Sequence, residues 1–331
     1  MAKTERIILY SLLGILFVLA AVFDLSITQN LFQPNNVLGR LGETLGEVPC
    51  YLVGAFAACL IALHHPRLEG KKNLVVTIIF FVLTAGVAIY GGYHTNKLLM
   101  RSFSLTYGTG VKLGVIAAVA LVLFAIAFLC ARLVKEGQKK EAFALGVFVA
   151  VLAVSSLLVM QGLKMIWLRP RYRTLVALEE AGAIDSAASY WKAFWEPQFF
   201  TSFKKYEVGG DYGFTQAQID SVLAKLSCSK WSKEEFYSFP SGHTMNSFFA
   251  VSLCYLPRLF PKLDKGKFTS LIIRVCVYLF VALVAFTRIL RGAHNATDVL
   301  AGYIFVVILF DLLSRLFYER FLREKILPSL K

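Results

Sequence analysis

Three polar clusters interrupt a strongly apolar sequence, and each contains residue types that can bind an anion or carry out nucleophilic chemistry. The clusters lie at 164–171, 238–244 and 287–298. Histidine can act as a nucleophile, acid or base, while lysine, arginine and free backbone N–H groups stabilise negative charge. Each cluster alone has a structural explanation, whereas the combination is much more specific.

The first cluster carries two cations, Lys164 and Arg171, which are seven residues apart. In a continuous helix this spacing separates them by about two turns. Pro170 disfavours a helix that continues through the whole cluster. Taken alone, the cluster is most simply interpreted as the cationic end of a membrane-spanning helix.

The second cluster contains Pro240, Ser241, Gly242 and His243, immediately before an apolar run. A turn of small residues that opens a helix presents free N–H groups and the positive end of the helix dipole, which attract anions. A turn of this composition is often no more than a turn. The adjacent His243 adds a group that can transfer a proton, and this favours a functional site.

The third cluster contains Arg288, His294 and Asp298. On a helix, the four-residue spacing of His294 and Asp298 would place both on one face, where the carboxylate can hold one imidazole nitrogen. The other nitrogen would then point outward as an oriented nucleophile or base. A structural histidine with a satisfied partner is equally common. Arg169 and Arg291 are further cations, predicted to bind anionic headgroups or to remain solvated.

The elements that must position these clusters are apolar helices. Hydrophobic residues make up 57% of the 331-residue chain, and the mean hydropathy is +0.63. A spanning helix needs roughly 20 apolar residues. Such runs occur near 7–27, 48–64, 74–93, 112–131, 143–163, 244–260, 268–287 and 298–317. They predict an all-α, polytopic transmembrane helix bundle of about eight spans, with seven as the alternative count.

Charges in the loops predict a topology with both termini in the cytoplasm. The segments 67–72, 132–140 and 258–267 and the C-terminal tail then lie inside, and all are rich in Lys and Arg. The outer loop 94–112 is an exception, because it carries cations and no acid. All three polar clusters would face the extracytoplasmic side. The short loops favour a bacterial inner membrane, with the first run as a retained signal anchor.

A long polar segment at 172–236 separates the first polar cluster from the second. The chain is accordingly divided into N-terminal transmembrane helices at 1–140 and a transmembrane region at 141–331 that carries the candidate chemistry and this insertion. Helices are predicted at 174–195 and 215–225. The second is opened by a capping box of Thr215 and Gln218 and by a hydrophobic staple of Phe214 and Ile219.

The insertion is rich in aromatic residues, and all four Trp lie between 167 and 231. Trp and Tyr favour the membrane interface because their rings are apolar while one edge stays hydrated. We therefore hypothesise that the insertion lies on the outer bilayer surface and shapes a substrate entrance. The alternative is an ordinary folded loop whose aromatic side chains form a small core of its own.

In order and spacing, the clusters resemble the three signatures of the type 2 phosphatidic acid phosphatase (PAP2) superfamily. These signatures are Lys-x6-Arg-Pro, Pro-Ser-Gly-His and Ser-Arg-x5-His-x3-Asp. The matching positions are Lys164 and Arg171, then 240–243, then Arg288, His294 and Asp298.

Two positions depart from these signatures, since Tyr172 replaces the usual proline and Thr287 the usual serine. Neither change removes a charged group. The resemblance covers 164–298, and the early spans are predicted to be additions to a six-span family core.

The resemblance implies hydrolysis of a phosphoester without a metal. His294 would attack phosphorus, Asp298 would steady its imidazole, and His243 would protonate the leaving oxygen, after which water releases phosphate from His294. The transferring group would be bound by cations and by the anion turn, namely Lys164, Arg171, Ser241, Gly242 and Arg288. The implied partners are membrane lipids and a lipid phosphate or pyrophosphate, such as phosphatidic acid, phosphatidylglycerol phosphate or a polyprenyl pyrophosphate.

Other functions stay open on the sequence alone. A phosphotransferase would pass the same phosphoryl group to another lipid, and a transporter would use the fold without catalysis. Soluble vanadate-dependent haloperoxidases of the superfamily have a similar anion pocket, but the apolar runs argue against that class. The net charge of +14 comes without the patterns of an RNA-binding module, so no nucleic acid is expected. No cysteine pair has metal-ligand spacing, so no metal or other cofactor is predicted, and the oligomeric state stays open.

Overall fold

The computed structural model describes residues 3–66, 71–196, 203–228, 230–264, 266 and 268–326. Its α-helices are α1 Lys3–Leu31, α2 Val37–Leu45, α3 Val48–His64, α4 Lys71–Phe103, α5 Thr109–Arg132, α6 Lys139–Trp167, α7 Tyr172–Glu180, α8 Ala187–Tyr190, α9 Gln216–Leu226, α10 Gly242–Ser247, α11 Leu256–Leu259, α12 Thr269–Leu290 and α13 Ala296–Leu312. Short 3-10 helices and a π-helix, Leu313–Ile326, complete the described secondary structure. The predicted all-α fold is confirmed. Part of the predicted cytoplasmic segment 67–72 and the end of the tail lie outside the described residues.

Seven helical segments of the described chain are long and apolar enough to cross a membrane. The predicted run at 244–260 is built differently, from α10, a 3-10 helix at Phe248–Tyr255 and α11. Pro257 contributes to this break, because proline has no N–H to continue a helix and is favoured in a first turn, which is where it lies in α11. The alternative count of seven spans therefore matches the long helices.

Helix α3 lies at the centre of the N-terminal half, where it packs against α4, α5 and α6. Its buried face carries small side chains such as Ala55, Ala57 and Cys59, which allow close helix packing. By contrast, α4 and α5 leave large apolar side chains such as Val82 and Leu121 exposed. Exposed apolar belts of this kind are expected where helices meet lipid.

The 172–236 insertion folds around a small apolar core of its own, which includes Leu175, Ile219 and Phe236. The predicted capping box opens α9 at Thr215, and Phe214 is buried in the same core. The predicted helix at 174–195 is only partly present, because α7 ends at Glu180 and Gly182 then adopts a left-handed φ of 63°. A left-handed residue stops an α-helix.

Candidate active site

Backbone hydrogen bonds join the three polar clusters into one site. The N–H of Ser238 donates to the carbonyl of Arg169 at 3.0 Å, and the N–H of Ser241 donates to the carbonyl of Asp298 at 2.9 Å. The Ser241 N–H is therefore engaged within the protein, so the prediction that it is free for an anion is wrong. The Ser241 hydroxyl caps α10 by accepting the N–H of Thr244. Main-chain hydrogen bonds therefore hold the three clusters together.

Close approach of α6 and α10 brings Lys164 to the Pro-Ser-Gly-His turn. A Cβ added at Gly242 would lie 2.8 Å from the sulfur of Met160 and 3.4 Å from Nζ of Lys164. Gly242 is therefore needed for space rather than for its backbone angles. Arg171 lies beyond the end of α6, and its Nε donates to the carbonyl of Glu234 at 3.0 Å.

His294 lies in the tight turn between α12 and α13. Gly292 makes this turn with a φ of 57°, and a Cβ there would lie 2.6 Å from the ring of Phe32. The carbonyl of Gly292 accepts the N–H of Arg173 at 2.9 Å, which fixes the turn against the insertion. Only 2% of His294 is exposed.

The imidazole of His294 is oriented by a backbone carbonyl. Its Nδ1 lies 2.6 Å from the oxygen of Ser238, and since a carbonyl only accepts, Nδ1 must carry the proton. Nε2 therefore keeps its lone pair. Burial, together with the charges of Arg171, Arg288 and Lys164, lowers the pKa of His294 well below its usual range. The imidazole is consequently neutral and suited to nucleophilic attack.

Asp298 does not hold His294 directly, so the predicted contact is wrong. His294 precedes α13 instead of lying within it, and the four-residue helical spacing does not apply. The Asp298 carboxylate accepts the hydroxyl of Ser238 and the N–H of Asn295, the latter at 2.7 Å. It reaches the imidazole through Ser238, whose hydroxyl it binds and whose carbonyl holds Nδ1.

Arg169 is a buried partner of two carboxylates, and the prediction that it is solvated or binds headgroups is wrong. Its guanidinium lies 2.5 Å from Asp298 and 2.7 Å from Asp24 of α1, and the side chain is 1% exposed. Its charged group also lies over the ring of Trp191, 5.0 Å from the centroid. A buried guanidinium is stable only when it is paired in this way.

Replacing Arg169 with methionine should leave Asp24 and Asp298 without their cation. Breaking a buried ion pair from one side costs about 3–5 kcal/mol, so the free energy of unfolding in detergent should fall by a comparable amount. The matched control is Arg132→Met, since Arg132 is exposed at the end of α5 and should change stability by less than about 0.5 kcal/mol. Equal stability of the two variants would contradict this account.

Arg288 faces the site from the last turn of α12 and is 1% exposed. It lies 3.2 Å from the carboxylate of Glu43, and its buried Nε has no hydrogen-bond partner among the described residues. A buried guanidinium with a free N–H can bind a phosphoryl oxygen. Glu43 also binds Arg173 at 3.0 Å and Arg291 at 2.9 Å, so Arg291 is not solvated as predicted.

His243 lies between one backbone acceptor and one side-chain acceptor. Its Nε2 lies 3.1 Å from the carbonyl of Glu43, and its Nδ1 lies 3.4 Å from the carboxylate of Glu47. Glu47 also lies 3.2 Å from His94 of α4 and accepts a 2.9 Å hydrogen bond from Asn246. Glu47 is only 5% exposed, so water screens the interaction of its carboxylate with His243 poorly.

The N-terminal helices also contribute to this site, which was not predicted from the sequence. Asp24, Glu43, Glu47 and His94 all come from α1 to α4 and lie among the three clusters. The sequence did contain a signal, since ionisable residues inside apolar segments often mark functional sites. Asp24, for example, lies inside the first apolar run, 7–27.

The fold and the site together define a polytopic helical protein in which a buried histidine, His294, and a partly buried one, His243, lie among cations. The sequence model of the PAP2 superfamily matches residues 143–322, which is more than half of the chain. The chain therefore belongs to the PAP2 superfamily. Its apolar helices and this membership identify an integral membrane protein.

Two curated proteins are similar to part of the chain. A PA-phosphatase related-family protein of Dictyostelium discoideum is 31% identical over 126 residues, which cover 35% of this chain and 43% of that protein. Phosphatidylglycerophosphatase B of Bacillus subtilis (strain 168) is 36% identical over 83 residues, which cover 24% of this chain and 39% of that protein. The chain thus spans about two fifths of the length of these relatives. No solved structure matches it significantly.

Proposed function

We propose that the protein is a membrane phosphatase that hydrolyses a lipid phosphate or pyrophosphate through a phosphohistidine at His294. The observation that carries this proposal is the hydrogen bond of Nδ1 to the carbonyl of Ser238, which leaves Nε2 as a neutral nucleophile. The charges of Arg171, Arg288 and Lys164 lower the pKa of that imidazole. Attack on a phosphoryl group requires a neutral nucleophile and cations around the phosphoryl oxygens.

In the first step, Nε2 of His294 forms a bond to phosphorus while the bond from phosphorus to the lipid oxygen breaks. His243 gives a proton to that oxygen, and the phosphoryl oxygens bind Lys164, Arg171, Arg288 and the turn at Gly242. Water then attacks the phosphohistidine, gives a proton back to His243, and inorganic phosphate leaves. No metal or other cofactor takes part in these steps.

Glu47 is the group that favours the protonated form of His243. Its carboxylate lies 3.4 Å from Nδ1, so a proton there gains an ion-pair partner. The Glu43 carbonyl, 3.1 Å from Nε2, can accept the N–H of that nitrogen when His243 is protonated, until the lipid oxygen takes that position. Asp298 positions His294 indirectly, because its carboxylate binds the hydroxyl of Ser238, whose carbonyl holds Nδ1 of His294.

The substrate class follows from a cationic pocket among apolar helices, which suits an acidic headgroup on a lipid. The names of the two relatives, a PA-phosphatase related protein and a phosphatidylglycerophosphatase, are consistent with this class. Phosphatidic acid, phosphatidylglycerol phosphate and polyprenyl pyrophosphate are the candidates. We also propose the orientation expected from the loop charges, with both termini cytoplasmic and the site on the other face of a bacterial inner membrane.

The test is release of inorganic phosphate from these three lipids by the purified protein in detergent, with EDTA present and no acceptor lipid added. Release under these conditions supports a metal-independent hydrolase and ranks the substrates. Transfer of the phosphoryl group to a second lipid supplied as acceptor, without release of inorganic phosphate, would favour a phosphotransferase. Neither release nor transfer by a well-folded protein would contradict both enzyme functions.

The entrance hypothesis is now best tested at Trp195, whose side chain is 59% exposed. Trp191 is a poorer probe, because its indole N–H donates to Asn295 at 3.2 Å, next to His294. Trp195→Ala should lower kcat/KM for a lipid phosphate roughly tenfold, by loss of interfacial contact, and leave a soluble phosphate ester nearly unchanged. Trp195→Phe keeps an aromatic ring and should retain most of the lipid activity. Equal losses on the two substrates with Trp195→Ala would contradict an entrance role.

A further inference from the structure

A cavity of about 160 Å³ lies beside the candidate active site, between the loop after α1 and the ends of α4, α7 and α9. Cations dominate its described lining, where Glu180 is the one acidic residue. The cations that line it are Arg40, Arg101, Arg173, Lys225 and Arg291. A polar cavity of this size and sign is suited to a small anion.

The carboxylates around the cavity do not balance these five charges. Arg101 is paired with Glu235 at 2.6 Å, and Lys225 with Glu180 at 2.6 Å. Glu43 serves both Arg173 and Arg291, while the Arg40 guanidinium binds the neutral amide of Asn35 at 2.6 Å.

Five cations and the three carboxylates Glu43, Glu180 and Glu235 thus leave two positive charges in excess.

Two guanidinium N–H groups of arginines that line the cavity are buried and have no hydrogen-bond partner among the described residues. They are Nη2 of Arg173, a residue that is 6% exposed, and Nε of Arg40. A buried donor without a partner costs free energy, and a charged one costs more. Guanidinium groups match the oxygens of a phosphate, so an anion in the cavity would complement the unbalanced charge of these arginines.

A single carboxylate, that of Glu43, links the arginines of the cavity to Arg288 of the candidate active site. One oxygen of Glu43 lies 3.2 Å from Arg288 and 3.0 Å from Arg173, and the other lies 2.9 Å from Arg291. A second phosphate in the cavity would therefore be a near neighbour of the phosphoryl group bound at Arg288. Glu43 would keep the two negative groups apart while its own charge holds the cations in place.

We propose that this cavity is a second phosphate-binding site, separate from the catalytic one. It binds either a second phosphoryl group of the same lipid or free inorganic phosphate. The binding itself does not rest on the proposed phosphatase function, because it can be measured in a variant that cannot turn over.

The probe is inorganic phosphate, titrated calorimetrically into the full chain in detergent on a His294→Ala background. Two phosphates per chain are expected. Adding Arg40→Gln should weaken one of the two binding events by roughly tenfold or more, since a charge-assisted contact is lost. Lys225→Gln should weaken the same event, and Arg132→Gln, far from the cavity, should change neither. A titration in which neither cavity variant weakens any binding event would overturn the proposal. A single event that both cavity variants weaken would support the cavity site and count against the catalytic one.

The source of the phosphate is assigned with the active enzyme. If the cavity takes a second group of the substrate, Arg40→Gln lowers kcat/KM for phosphatidylglycerol phosphate, whose two phosphorus atoms are separated by glycerol. It then spares phosphatidic acid, and also polyprenyl pyrophosphate, whose two phosphorus atoms share one oxygen. If it takes free phosphate, all three kcat/KM values stay the same and the inhibition constant for inorganic phosphate rises. A general loss on every lipid, with unaltered phosphate inhibition, would overturn both assignments.

Discussion

His294→Ala is expected to lower kcat for lipid phosphate hydrolysis by at least about 10⁴-fold, because the nucleophile of the first step is lost. The cations of the pocket remain, so KM should change far less. Steady-state phosphate release at several substrate concentrations separates the two constants. Burial and the charges of Arg171, Arg288 and Lys164 lower the pKa of His294, which keeps the imidazole neutral and able to attack.

The matched control is His65→Ala, since His65 lies at the end of α3 and binds Thr77 at 2.9 Å. It should keep kcat close to that of the original protein. A His294→Ala variant that retains a tenth of the activity would show that another residue attacks phosphorus.

The second large effect is expected at His243 and should depend on the leaving group. His243→Ala should cost about 10²–10⁴-fold in kcat for a lipid phosphate, whose alkoxide needs a proton as it leaves. The same variant should lose far less on p-nitrophenyl phosphate, because p-nitrophenolate leaves without one. Steady-state rates on the two substrates give the comparison.

Glu47→Gln should show the same selectivity with a smaller loss. Burial and Arg288 lower the pKa of His243 to about 3, whereas Glu47 acts in the opposite direction. A phosphate dianion bound at Arg288 offsets the charge of that arginine, and Glu47 can then keep His243 protonated. Glu136→Gln is the control, since that side chain is 86% exposed. Equal losses on both substrates in His243→Ala would contradict its role as the acid.

Features governed by local sequence were predictable. The capping box at Thr215 and Gln218 depends on residues three apart, and α9 begins where that pattern indicates. The long apolar helices follow from composition, because lipid demands internally bonded backbone. The break at 248–255 was harder to foresee, since its strongest local signal is Pro257, near the far end of the run.

Contacts between distant parts of the chain were not predictable. Asp24 and Arg169 are 145 residues apart, and nothing in their spacing indicates a 2.7 Å ion pair. The error at Asp298 had another cause, because a helical spacing was applied to His294, which lies in the preceding turn. The burial of Glu43 and Glu47 depends on how α2 and α3 pack against the later helices, which only the tertiary structure defines.

The most direct test of the central claim is to trap the covalent intermediate. The protein is mixed with a lipid phosphate labelled in the phosphoryl group, quenched in alkaline detergent, and digested for mass spectrometry. We expect an acid-labile, base-stable phosphoryl group on His294, absent from His294→Ala and present in His65→Ala. A labelled His294→Ala protein, or an active protein that carries label on another residue, would contradict a phosphohistidine at His294.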